Sequence, residues 1–216
     1  ATAKAVAATG IEARLILCTL RHYSEAQSLE TVKLVEQFKN TYVAGFDIAG
    51  DEAGYPIDAH IKAYQFAKEK NIPCTAHAGE ASGPASVWET LEHFGPSRIG
   101  HGVRSYEDAK LVQHLQKNKI HLGLCPTCNV QINICNEYKD HPIDKLYKAG
   151  VSINVNTDCR TICNIDLNTE YKKLHDTFGW TTDDFYTTNV NAINVAFIGN
   201  ELKTILLDKL KAAYNK

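Results

Sequence analysis

Six short apolar runs, each ending in polar or reactive residues, set what this chain can fold into. They are Leu15–Leu20, Val43–Ile48, Ile72–His77, Arg98–His101, Ile120–Cys125 and Val151–Asn156. Successive runs begin roughly 22 to 31 residues apart, about the length of a strand, a helix and their connections. Amphipathic stretches fill the intervals: Leu29/Val32/Val35/Phe38, Ile61/Tyr64/Ala67, Val87/Leu91/Phe94 and Ala109/Val112/Leu115. HPIDKLYKAG follows, with Pro142 early and Gly150 at the stop, the usual placing of those two residues about a helix. Leu167, Tyr171, Leu174 and Phe178 form a further helical face, and helices over Thr182–Phe197 and about Leu202–Tyr214 close the chain. No linker or low-complexity tract interrupts this pattern, so residues 1–216 read as a single domain.

Alternating strands and helices at this spacing require a parallel sheet. A doubly wound sheet and a barrel both satisfy the pattern, and in both, ligands bind where strands end. A barrel recruits residues from many strands at once. Here all six runs end in reactive groups: Arg21-His22, Asp47 to Glu52, His77 to Glu80, His101, Cys125 to Asn129 and Asn156-Thr157-Asp158. That favours a TIM-type (β/α)8 barrel, although six βα units are two short of closure and would leave sheet edges open.

Composition excludes several classes. Twenty-three Lys and Arg against 25 Asp and Glu leave a net charge of −2, which argues against a protein held to nucleic acid or membrane by a basic field. No apolar run has the length of a membrane span, and no signal-like segment opens the chain. The default is a soluble, cytoplasmic protein. The seven cysteines are not spaced as a secreted disulfide framework. Six of them, Cys18, Cys74, Cys125, Cys128, Cys159 and Cys163, fall in or just after apolar runs, as buried reduced thiols do. Cys135, in QINICNEY, fits no such pattern.

Each strand end has a bland reading and a chemical one. His77 and Glu80 in HAGE offer a metal-ligating imidazole and a proton-shuttling carboxylate, or an accidental pair. His101, between two glycines in IGHG, is open to close approach by ligands or is a packed core histidine. Asp158 is a metal-ligating carboxylate or the N-cap of the next helix. GFDIAGDEAG lacks both phosphate-loop signatures. Its Gly50 would let backbone N–H groups approach a flat ligand, or it marks a turn. Cys125-Pro-Thr-Cys128 matches C-x-x-C, but no second C-x-x-C completes a four-cysteine zinc site, and the motif is misplaced for a thioredoxin-like turn.

In order along the chain stand ARLILCTLRH, GFDIAGDE, HAGE, RIGHG, CPTCN and NTD. This ordered set resembles the adenosine deaminase family, within the purine-deaminase branch of the metal-dependent amidohydrolase-like barrels, across essentially the whole chain. The resemblance implies one Zn²⁺ at the barrel mouth, with His77 and Asp158 among its ligands. It implies that Glu80 protonates purine N1 while C6 is attacked, that His101 orients or deprotonates the attacking water, and that Gly50 contacts the purine near N3. The reaction implied is hydrolysis of adenosine, or 2'-deoxyadenosine, to inosine and ammonia. Adenine or methylthioadenosine as substrate, and a non-catalytic purine-binding relative, are the alternatives. The ligand expected is a small purine nucleoside, with no nucleic acid or membrane partner and no sign of the oligomeric state.

Four departures qualify that resemblance. The family's two further zinc histidines, from an H-x-H on its first strand, have no counterpart here. The first run resembles the family's third strand, so the chain is expected to be the C-terminal two-thirds of a barrel, inactive and poor in zinc as it stands. Cys159 stands where a second aspartate is usual, Gly123 where a glutamate is common, and Cys128 where serine is usual. A fragment and a diverged relative both accommodate these changes.

Overall fold

The computed structural model describes residues 1–216, which divide into two compact units. Ala1–His77 with Thr90–Pro96 form one, and Ala78–Glu89 with Ser97–Lys216 the other. The strands are β1 Leu15–Leu20, β2 Val43–Ala49, β3 Thr75–Ala78, β4 Arg98–His101, β5 His121–Leu124 and β6 Ile153–Val155. Ahead of β3 lie helices α1 Thr2–Thr9, α2 Glu25–Gln37 and α3 Ile61–Glu69, and after it α4 Pro84–His93, α5 Ala109–Asn118 and α6 Pro126–Gln131. The rest are α7 Ile143–Lys148, α8 Arg160–Cys163, α9 Leu167–Phe178, α10 Thr182–Val195 and α11 Asn200–Ala213.

In the first unit β1 and β2 pair in parallel, from Ile16 opposite Gly45 to Leu20 opposite Ala49. Phe46 to Ile48 is buried without alternation, as expected of a parallel strand covered on both faces. Val32 and Val35 of α2 and Ala63, Tyr64 and Ala67 of α3 pack over Phe46 and Ile48. The Tyr64 ring stacks on Phe94 at 3.7 Å, and its hydroxyl donates to Thr75 O at 2.7 Å. Ser24 starts α2 through a reciprocal cap with Gln27, satisfying amides that the first helical turn leaves open.

In the second unit β4, β5 and β6 pair in parallel, with Ile99 opposite Leu122 and Leu122 opposite Ile153. The last residue of β3 joins this unit, where Ala78 O accepts from the Gly102 N–H at 2.9 Å. Leu122, Leu124 and Ile153 lie in the core with Leu111 and Leu115 of α5 and Ile143 and Leu146 of α7. The alternate positions carry a polar ladder. His121 Nε2 donates to Asn154 Oδ1 at 2.9 Å while its Nδ1 meets Ser152 Oγ at 2.9 Å, and the Asn154 and Asn156 amides bond each other at 2.9 and 3.2 Å. Asp108, Asp166 and the Thr181–Asp184 pair cap α5, α9 and α10.

Three strands, β3, β5 and β6, are shorter than the apolar runs predict. β3 begins at Thr75 rather than Ile72, since Asn71 turns left-handed and Pro73 has no N–H to lend a ladder. Each strand is followed by a helix, the βα order that the spacing predicts. No helix is long and apolar enough to cross a membrane.

Candidate active site

Glu80, His101 and Asp158 come together in the second unit. His101 ends β4 with φ +60°, and Asp158 follows β6 with φ +55°, a left-handed backbone uncommon for residues with a side chain. His101 Nδ1 lies 3.1 Å from Glu80 Oε1, and its Nε2 lies 4.0 Å from Asp158 Oδ2. The imidazole is thus flanked by a carboxylate on each nitrogen. It is buried, so of the two readings of IGHG the core position and the reactive surroundings coexist.

Close passage of two loops fixes this constellation. Arg104 N donates to Gly79 O at 2.8 Å, beside the Gly102–Ala78 bond. At Gly79, φ is +68° and a Cβ would stand 2.3 Å from Val87 Cγ2, so only glycine lets HAGE lie against GHG.

Asp158 is not a helix cap. The cap position of α8 is Cys159, with no side-chain bond. The Asp158 carboxylate accepts instead from Cys128 Sγ at 2.9 Å, with Cys159 Sγ 3.8 Å from its other oxygen. A cavity of about 590 Å³ opens beside it, lined by Asn156, Thr157, Asp158, Arg160 and Asp166 among others, a size ordinary for a small-molecule site.

Among possible metal donors, one atom each from His101, Cys125 and Asp158 lie within 4.8 Å of one another. Donors around a tetrahedral zinc stand about 3.5 Å apart, so the 4.0 Å between His101 and Asp158 is near that separation. Cys125 suits the role poorly. Burial, then the charges of Asp158, Glu80 and Glu170, push its thiol far up, and zinc takes thiolate. His101 and Asp158 are therefore the donors this unit offers with ordinary chemistry.

His77 and Gly50 belong to the first unit. His77 Nδ1 is 2.9 Å from Asp47 Oδ2, the carboxylate backing usual for a metal-ligating histidine, and His77 O accepts from Arg21 Nη2 at 3.0 Å. Gly50 has φ +105°, and the Asp51 carboxylate after it accepts from Gly54 N at 2.9 Å. The segment is thus a turn with an exposed, left-handed glycine at its entry.

Asn129 and His141 were not legible as site residues. Asn129 Nδ2 donates to Glu80 Oε1 at 2.7 Å, and Asn129 Oδ1 faces His141 Nε2 at 3.1 Å. Asn129 was visible only as the last letter of CPTCN, and His141 read as part of a helix start. Both are buried, and burial holds His141 near pKa 3, hence neutral. Of the cysteines, Cys125, Cys128 and Cys163 are buried, whereas Cys159 is exposed, against the expectation from its neighbours. At Gly123, a Cβ would come within 2.9 Å of Asn156 Nδ2. The amide ladder fills the space where the family commonly places a glutamate.

Comparison with known proteins agrees with these motifs. The family model "Adenosine deaminase" matches residues 1–213. Adenosine deaminase 1 of Streptomyces coelicolor is 36% identical over 92% of this chain, which spans only 53% of that protein's length. The crystal structure of adenine deaminase from Arthrobacter aurescens superposes with a TM-score of 0.92 at 26% identity, covering 100% of this chain and 65% of that one. Arabidopsis ADAL complexed with IMP gives a TM-score of 0.86 at 25% identity, over 94% of this chain and 58% of that one. The fold is an α/β barrel of the TIM type, partly present in this chain, and the chain belongs to the adenosine deaminase family.

Proposed function

We propose that this chain takes part in hydrolytic deamination of a 6-aminopurine nucleoside, adenosine or 2'-deoxyadenosine, releasing ammonia. The observation that carries the reading is the single imidazole of His101 set between Glu80 and Asp158. Attack at C6 interrupts the ring's aromaticity before the exocyclic C6–N bond breaks, so it needs a proton on the neighbouring nitrogen and a nucleophilic water on the carbon. Glu80 is the acid that gives its proton to purine N1. His101 accepts the water's proton on Nε2, the nitrogen that faces Asp158. Asp158 and His77 are the side chains that would hold zinc, and a bound zinc makes water nucleophilic near neutral pH. The turn at Gly50 presents backbone to the purine edge.

Adenine itself is a second reading, favoured by the likeness to the Arthrobacter aurescens adenine deaminase. Ultraviolet assay on adenosine and adenine, with a metal-loaded longer form that carries the family's H-x-H, separates the two, with faster loss of adenosine expected. Glu80→Gln is expected to lower kcat by orders of magnitude and leave bound metal unchanged. Absence of turnover on both purines in that longer form, with metal bound, would overturn the enzyme reading in favour of a purine-binding relative. Metal analysis bears on the ligand count: with His77 and Asp158 as this chain's donors, zinc below one equivalent is expected, and a tight stoichiometric ion would show that other groups complete the site.

A further inference from the structure

We infer that Arg21 is a positioning residue, a buried clamp that sets the Gly50 turn and His77 at one fixed separation. The backbone that faces the purine edge and the imidazole that faces the metal are thereby held in register. This rests on the deaminase reading above. Arg21 follows β1, and its backbone N–H donates to Ala49 O at 2.8 Å, the residue just before Gly50. Its guanidinium donates from Nη1 to Tyr55 O at 3.1 Å and from Nη2 to His77 O at 3.0 Å. One residue thus grips the turn on both sides of Gly50 and also the strand β3 that carries His77. A Cβ on Gly50 would stand 3.5 Å from Arg21 N, so the two backbones run in direct contact.

His60 fastens the clamp in turn. Arg21 O lies 3.1 Å from His60 Nε2, and a carbonyl can only accept, so the ring donates to it. His60 Nδ1 meets Ser28 Oγ of α2 at 3.0 Å. Arg21 is 4% exposed, and His60 and Ser28 are both 0% exposed.

Taking a guanidinium out of water is costly unless its donors are used. What the charge adds here is a rigid planar fork, which fixes two carbonyls at once with charge-assisted bonds. These bonds all go to backbone, so Arg21 acts through Gly50 and His77 rather than on the substrate. A shift of either one is passed to the other.

NMR of the chain as it stands, labelled with ¹⁵N-arginine, reads the clamp without metal or turnover. Separate Nη1 and Nη2 signals from a slowly rotating Arg21 guanidinium are expected, and a single averaged signal overturns the proposal. The effect on the site is read in a metal-loaded longer form that carries the family's H-x-H. There Arg21→Lys is expected to raise KM for adenosine and to weaken zinc, each about tenfold, because one ammonium cannot serve both carbonyls. A merely structural loss would cut the fraction of active protein and leave KM and zinc affinity unchanged, and that result overturns the proposal. Millimolar guanidinium added to Arg21→Ala is expected to restore both quantities, and no recovery in the folded variant overturns it as well. If the unsubstituted longer form with metal bound turns over neither adenosine nor adenine, the deaminase reading is what fails. The Arg21 signals and the zinc affinities then decide the clamp on their own.

Discussion

Cys128 Sγ donates to Asp158 Oδ2 across 2.9 Å, so a thiol orients the carboxylate proposed to hold metal. Burial, reinforced by that carboxylate, pushes the Cys128 thiol upward. It therefore stays a neutral donor across the working range of the protein. A thiol is a weak donor, yet it is the one this carboxylate oxygen has where the family commonly offers a hydroxyl.

Cys128→Ala removes the donor and is expected to lower unfolding free energy by about 1 kcal/mol, the usual worth of a hydrogen bond. Cys128→Ser is expected to cost less, since a hydroxyl can replace the thiol at Asp158. Urea unfolding of both variants checks this ordering; a serine variant weaker than the alanine variant would contradict it.

Cys159 is the exposed thiol, whereas burial lifts Cys18 and Cys74 to about 12. In native protein an aromatic disulfide reagent is expected to consume Cys159 first, slowed relative to a free thiol by the adjacent Asp158 charge. Cys159→Ser should remove the fast phase. A fast phase that survives this change would assign it to another cysteine.

At Gly123 the obstacle to any larger residue is the Asn156 amide. Gly123→Ala is expected to destabilise by about 1 to 3 kcal/mol, the ordinary cost of overpacking. In the Asn156→Ala background the same change should cost markedly less, because the two sites share one space. A double-mutant cycle by thermal unfolding measures the difference, and strict additivity would refute the shared space.

His121 and His141 tie stability to pH. Burial lowers them from 6.5 to about 4 and about 3 respectively. The folded state keeps both neutral while the unfolded chain protonates near 6.5. Their contribution is complete above that value and drains away as pH falls toward the folded values. Lowering pH from 7 to 5 is expected to remove about 2 kcal/mol per histidine. Urea titrations at the two pH values test it, and His121→Gln should flatten the dependence by its own share.

The order of strands and helices was legible because short strand-like runs recur at the spacing of a strand, a helix and their connections, and Leu15–Leu20 and Arg98–His101 match β1 and β4 to the residue. Boundaries were less legible. Ile72 to Cys74 is apolar enough for a strand but carries Pro73, and Val151 and Ser152 precede β6 rather than start it. Among site residues, Glu80, His101 and Asp158 announced themselves by standing at strand ends. Asn129 and His141 did not, because a buried amide and a buried neutral imidazole look like packing until their partners are known. The exposure of Cys159 was equally hidden, since a neighbouring apolar strand says nothing about which way a loop residue turns.

The left-handed backbone at His101 and Asp158 has a consequence for the whole molecule. Side-chain-bearing residues in that conformation cost about 1 to 3 kcal/mol each, and glycine would relieve the strain at both places. Glycine would relieve that backbone strain only by giving up the imidazole and the carboxylate. Backbone relaxation and side-chain chemistry thus pull this protein in opposite directions at the same two peptide units.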